Sequence, residues 1–359
     1  MTTSGGDTAT DQPFTCSIVS TPRLDINVWT SGPADGVPVL LIHGNLSSGG
    51  FWKYLAAELP AQVRVIAPDL RGYGRTEAQP VDATQGLTQF SEDVHGLLDT
   101  LGVLGRPVTA VGWSMGAGVL MQQLLDHPGD LASLVFIAPL SPFGFGGTID
   151  AQGTLAFADA AGSGAGGANP EFIRRLLMKD DTELVPLTSP RMTFRTYFGA
   201  GANAANVDED FLVEELLRIK IGEANYPGTS QPSMNWPMIA PGDRGVNNAM
   251  TPKYFNTAAI VDAPAKPPIT WLFGSEDQIS SNQSMFDFGT LGSLGLMPGW
   301  PGPAMFPPQP MEDQMRFVLR QYAERGGQVR GVPLDGIGHG IPLEVPGRVA
   351  EEIMATLAR

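Results

Sequence analysis

Gly112-Trp113-Ser114-Met115-Gly116 sets a serine between two glycines in the pattern G-x-S-x-G. Such a serine can sit on a sharp turn and present its hydroxyl as a nucleophile, provided a buried strand leads in and a helix leads out. The glycines permit the turn, and the helix start offers backbone donors and a positive dipole end. In a chain with 44 glycines the bare pattern carries little weight, so its flanks decide. A serine hydroxyl is a weak nucleophile at neutral pH and needs a base, most often histidine. The chain offers four: His43, His95, His127 and His339.

The flanks satisfy the requirement. PVTAVGW, ending at Trp113, reads as a buried strand, and Met115 to His127 reads as a helix. Upstream, Thr21 to Trp29 reads as a strand, VPVLLI from Val37 to Ile42 as a buried strand, Phe51 to Leu59 as a helix and VRVIAP as another buried strand. Thr88 to Val103 is amphipathic, with Phe90, Val94, Leu97, Leu98 and Leu101 on one face, and LASLVFIAP ends a further unit at Pro139. Strands and helices alternating in this way predict a mostly parallel sheet covered on both faces.

Between Ser141 and Val261 the alternation fails. A Gly/Ala-rich stretch, helical segments near Glu171 to Met178 and Asp208 to Ile221, and Pro- and Asn-rich loops predict a largely helical and irregular cap over residues 141–261. Regularity returns with PPITWLFG, a strand ending at Gly274, then QVRGVPL from Gln328 and a terminal helix from Val345 to Leu357. The core is therefore expected at 15–140 and 262–359, after a flexible tail at 1–14. It carries a second irregular block from Met285 to Met311, rich in Gly, Pro, Met and aromatics, whose composition favours packing over disorder.

Five pieces of the chain now appear in a recognisable order: HGN at His43 to Asn45, PDLRGYGRT at Pro68 to Thr76, GWSMG, LFGSEDQI at Leu272 to Ile279, and GIGHG at Gly336 to Gly340. In these the chain resembles the α/β-hydrolase superfamily over nearly its whole length outside the two insertions. The resemblance implies the α/β-hydrolase fold, with Ser114 as nucleophile and His339, which follows the last strand, as general base. His43 is then structural, and His95 and His127 lie in or at the end of helices. The family pattern G-x-x-D aligns Gly274 with Asp277 as the carboxylate orienting the base, in preference to the neighbouring Glu276. The backbone N–H groups of Asn45 and Met115 are the implied oxyanion-hole donors, with the Asn45 side chain as a further candidate. Asp69, Arg71 and Tyr73 fall in a loop that relatives use to brace the core. Relatives that open epoxides or dehalogenate haloalkanes use an aspartate at the elbow, so Ser114 disfavours both reactions.

Composition narrows the partners. With 22 Lys and Arg against 37 Asp and Glu, the net charge of −15 repels phosphate backbones and anionic membranes, so no nucleic-acid partner is expected. One cysteine, Cys16, allows no internal disulfide. No apolar run approaches the ~20 residues of a membrane span, and the first residues lack the pattern of a signal peptide. A cytoplasmic protein is expected, and homo-oligomers are compatible with the sequence. The histidines show no metal-ligand spacing, and R-G-Y-G-R lacks the pattern of a dinucleotide site. Neither cofactor nor metal is expected.

The leading expectation is acyl transfer to water: an apolar ester, lactone or related small molecule acylates Ser114, and water releases the acyl group. Trp113, Phe143, Trp236 and Met285 are the residues expected to touch that substrate, with Phe145, Phe286 and Phe306 among further candidates. The same triad also serves carbon–carbon bond hydrolysis, cofactor-free perhydrolysis or acyl transfer to an alcohol, and a ligand-binding receptor on this scaffold is a further alternative.

Overall fold

A computed structural model describes residues 13–198 and 206–357. Eight strands form one sheet: β1 (Thr15–Ser20), β2 (Asp25–Ser31), β3 (Val37–Ile42), β4 (Val63–Pro68), β5 (Thr109–Trp113), β6 (Ser133–Ile137), β7 (Ile269–Gly274) and β8 (Val329–Leu334). Their spatial order is β1-β2-β4-β3-β5-β6-β7-β8. From β4 to β8 all neighbours are parallel, and β1 and β2 add an antiparallel edge. Central parallel strands are covered on both faces, which is why β3, β5 and β6 read as unbroken apolar runs. Leu40, Val111 and Phe136 are all fully buried.

Helices α1 (Lys53–Glu58), α2 (Thr88–Thr100), α3 (Met115–Asp126), α4 (Pro170–Leu177), α5 (Pro190–Tyr197), α6 (Glu209–Leu216), α7 (Met311–Glu324) and α8 (Pro346–Leu357) complete the main framework. In the core, α1 packs with α8 and α2 with α3. The expected strand at Thr21–Trp29 begins four residues late, at Asp25, because residues Thr21–Leu24 form the turn of a hairpin with β1. Residues 1–12 of the expected tail lie outside the described residues. Phe14 is not free, since its ring stacks on Trp29 at 5.4 Å.

The segment between β6 and β7 is tied down by polar contacts as well as apolar ones. Glu215 on α6, 1% exposed, accepts hydrogen bonds from Ser48 (2.7 Å) and Arg218 (3.1 Å) and pairs with Arg75 at 2.7 Å. The irregular block after Met285 contains one short helix, Phe288–Ser293, and is clamped through the buried amides of Gln309 and Gln314, the latter accepting from Ser141 Oγ at 2.6 Å.

Close approach of backbone to backbone sets the geometry at the sheet's C-terminal edge. A Cβ on Gly116 would lie 2.1 Å from Ile42 O, and one on Gly112 would lie 2.6 Å from the Ala117 Cα. Neither neighbour is a flexible side-chain tip. Gly116→Ala is therefore expected to destabilise the protein by about 3 kcal/mol or more, read as a lowered urea midpoint with an unchanged m-value.

Candidate active site

Ser114 lies between the last residue of β5 and the first of α3, with φ 57° and ψ −119°, a region that non-glycine residues rarely occupy. The turn is held from both sides: Ser114 N donates to Ile137 O (2.9 Å), and Leu140 N donates to Ser114 O (3.0 Å). Gly44 presses against it, because a Cβ there would stand 3.0 Å from Ser114 Cβ and 3.6 Å from Oγ. The hydroxyl-bearing side chain is thus pushed out of the sheet edge into an adjoining cavity.

Asp277 and His339 come from loops after the neighbouring parallel strands β7 and β8, whose registers end together with Gly274 opposite Leu334. His339 Nδ1 lies 2.9 Å from Asp277 Oδ2 and 3.1 Å from Oδ1. Asp277 Oδ1 also accepts the N–H groups of Ile279 (2.7 Å) and Ser280 (2.9 Å), which fix the carboxylate before the histidine meets it. Glu276, the alternative acid, is exposed. The histidine is itself pinned, since Trp113 Nε1 donates to His339 O at 2.9 Å. His339 is 2% exposed and its Nε2 is buried without a hydrogen bond, although it lines the same cavity as Ser114. A Cβ on Gly340 would fall 1.8 Å from Phe198 O, so the segment after β6 rests directly on the histidine loop.

A match to the alpha/beta hydrolase family model runs over residues 39–352. The chain belongs to the alpha/beta hydrolase family. Lipase LipV of Mycobacterium tuberculosis is 35% identical over 116 residues, covering 32% of this chain and 42% of that protein. The chain thus spans about two fifths of the length of the curated relatives it matches. Among solved structures, the esterase RhEst1 from Rhodococcus sp. ECU1013 superposes with a TM-score of 0.57 at 17% identity, covering 97% of this chain and 99% of that one. A bromoperoxidase from Bacillus anthracis superposes at 0.59 with 18% identity, covering 96% and 100%. At such identities the superpositions establish the shared fold.

Asn45 and Met115 both line the cavity beside Ser114. Met115 is the first residue of α3, where an amide has no intrahelical acceptor. The Asn45 side chain is already engaged: Oδ1 accepts from Tyr73 OH (2.6 Å) and Leu46 N (3.0 Å), and Nδ2 donates to Asn247 at 3.2 Å. It holds the loop through Tyr73 and Asn247. In this alpha/beta hydrolase, Asp69 and Arg71 are engaged in bracing contacts within the core. Asp69 accepts from Asn27, Trp29, Gly49 and Arg75, although burial still pushes its carboxyl up to about 6. Arg71 forms a paired salt bridge with Asp93.

The cavity measures about 300 Å³ and is walled by aromatic rings from both insertions, including Phe145, Phe172, Tyr197, Phe286 and Phe288. Among the described residues, its lining contains no Asp, Glu, Lys or Arg. Of the four residues expected to touch substrate, none lies in that wall. Trp113 is fully buried beneath His339, Phe143 packs behind Gly153, Trp236 sets its edge against Phe288 and Phe306, and Met285 lies outside the lining. The residues in their place, Phe172, Tyr197 and Phe198, sit on or beside short helices that carried no chemical motif. Asn247 and Tyr226 were likewise missed, because only the fold brings them to Asn45 and the cavity.

The remaining histidines fall elsewhere. His95 and His127 stack face to face at 3.8 Å, bonded respectively to Asp130 (2.8 Å) and Glu92 (3.0 Å). These histidines and Asp130 each offer a ligand atom within 4.8 Å of the others. His43 is fully buried, with Nδ1 2.7 Å from Gly44 O and Nε2 accepting from Leu70 N at 2.9 Å. Both bonds suit one neutral tautomer, and burial lowers its pKa to about 4. Below pH 6.5 the unfolded chain binds a proton that folded His43 refuses, so its contribution opposes folding progressively from pH 6.5 down to about 4. His43 is expected to stay neutral at pH 5.5 in ¹⁵N NMR spectra of the folded protein; a protonated ring there would refute this assignment.

Proposed function

We propose that this alpha/beta hydrolase cleaves carboxylic ester-type bonds of uncharged, largely apolar substrates through an acyl-enzyme on Ser114. Ser114 Oγ attacks the carbonyl carbon while His339 Nε2 takes its proton, and Asp277 holds the imidazole by Nδ1 and stabilises the imidazolium that forms. The carbonyl oxygen becomes an oxyanion between the backbone N–H groups of Met115 and Asn45, each such donor being worth about 3 kcal/mol in the transition state. His339 then returns the proton to the leaving alcohol, and a water activated by the same nitrogen releases the acid.

The observation that carries the reading is a cavity lined by both Ser114 and His339 whose described wall carries no formal charge. An ionised substrate would lose its hydration there without a partner, whereas aromatic walls replace the water around an apolar acyl group. Residues 141–261 and the block at about 285–311 act together as a cap in this reading, since both contribute to the wall.

Hydrolysis of p-nitrophenyl acyl esters of increasing chain length, compared with the singly charged hemisuccinate, tests it. Wild type should turn over the neutral esters and discriminate against the charged acyl group, and Ser114→Ala should lose about 10⁴-fold or more in kcat. Activity that survives in Ser114→Ala would remove the acyl-enzyme. A folded wild type inert on every ester would overturn ester cleavage and turn the search to vinylogous diketones.

A further inference from the structure

A second carboxylate stands behind the catalytic loop and takes no part in the mechanism described so far. Glu344, 5% exposed, accepts the Gly338 N–H at 3.1 Å through Oε1 and 3.4 Å through Oε2. Gly338 immediately precedes His339, so the carboxylate grips the backbone that carries the base. The grip is short-range and sterically tight, as a Cβ on Gly338 would come within 3.1 Å of Glu344 Oε1. Glu344 N in turn donates to Gly340 O at 2.9 Å, which closes the turn on itself.

A backbone clamp does not require a charge, and here the charge is costly. Among the described residues no lysine or arginine forms a salt bridge with Glu344, while Asp277 and Glu344 are close enough to repel. Burial and Asp277 both push the Glu344 carboxyl up, and the Gly338 amide and His339 pull it down. A buried carboxylate without a cation, beside another carboxylate, is unfavourable unless a positive charge develops nearby. The groups facing His339 identify that charge. Asp277 bonds the imidazole at Nδ1, Glu344 bonds the backbone just before it, and among the described residues the cavity lining adds only Tyr197 and Tyr226 as further ionisable side chains. Among the described residues of the cavity lining, His339 is the side chain that can become a cation.

We propose that Glu344 is a positioning residue of the active site, whose buried negative charge stabilises the His339 imidazolium beyond what Asp277 alone provides. The proposal rests on the reading of His339 as the general base. It assigns the two carboxylates different tasks: Asp277 orients the ring through Nδ1, and Glu344 fixes the loop and deepens the negative potential without touching the ring.

Two variants separate charge from clamp. Glu344→Gln keeps an acceptor for Gly338 N–H and removes the charge, whereas Glu344→Ala removes both. The His339 pKa, followed by ¹⁵N NMR in the full-length protein, should fall by about one unit in Glu344→Gln, a roughly tenfold change in the dissociation constant, with thermal stability close to that of wild type. The acid limb of kcat/KM for a neutral p-nitrophenyl ester should move to lower pH by the same amount, and kcat on the plateau should drop several-fold with KM unchanged. A His339 pKa and pH profile unmoved in Glu344→Gln, with loss confined to Glu344→Ala, would make Glu344 a clamp only and overturn the proposal. The NMR titration needs no substrate, so a wild type inert on esters would refute the hydrolytic reading while the role of Glu344 is still decided by the shift of His339.

Discussion

The positive φ of Ser114 is the constraint around which the rest is built. A non-glycine residue held there costs about 1–3 kcal/mol and persists only where its surroundings over-determine it. Those surroundings are three parallel strands and one helix. β6 supplies Ile137 O for the Ser114 amide, the stretch after β6 supplies Leu140 N for its carbonyl, β3 runs so close that only glycine fits at 116, and α3 begins at Met115. The order β4-β3-β5-β6 is what sets β3 and β6 on either side of the serine strand. Exposing the hydroxyl and preparing amides beside it are two consequences of one turn.

Asp277 and His339 depend on the same sheet at longer range. Their loops leave adjacent strands whose ends are in register, and Gly274 allows the two loops to touch, since a Cβ there would sit 2.2 Å from Ile337 O. A shift of one strand by a residue would reverse which face its side chains meet and displace the acid from the base. Pairing along β7 and β8 therefore fixes the geometry on which the proposed proton transfer relies.

Sequence and structure agree best where the signal is local and repeated. The buried runs VPVLLI and PVTAVGW, the amphipathic α2 and the elbow glycines each carry their own physical reason to fold as they do, and Asp277 and His339 were legible from short patterns at strand ends. Helix α7 was missed although its signal is present: Met311, Met315, Val318, Leu319 and Tyr322 are buried at helical spacing, with Glu312 and Asp313 in the first turn. The Gly- and Pro-rich block before it masked the start. Helix α5 is only eight residues long, announced by Ser189-Pro190 with the serine capping Met192 N, a weak signal inside an irregular segment. The cavity wall was the least legible. Aromatic residues in a cap all look alike in sequence, and whether Phe143 or Phe145 faces the serine depends on a loop conformation that no periodicity encodes. Glu344 was passed over for a related reason, since nothing short of the fold shows a glutamate five residues after His339 folding back onto Gly338.

Charge distribution links these elements to the proposed chemistry. The chain carries a net −15, yet among the described residues the cavity wall is free of carboxylates and ammonium or guanidinium groups. Asp277 bonds the base and Glu344 bonds its loop, while Ser114 directly precedes the N-terminus of α3, with the partial positive charge of aligned peptide dipoles. In the proposed reaction a proton moves from Ser114 toward the carboxylates while negative charge grows on the carbonyl oxygen next to the helix. Positive charge then develops beside a carboxylate and negative charge beside a helix N-terminus, each on its favourable side. A formal charge in the wall would add a field of its own in an environment with little water to screen it. An uncharged wall thus lets buried groups outside it act on the reacting atoms of the proposed chemistry.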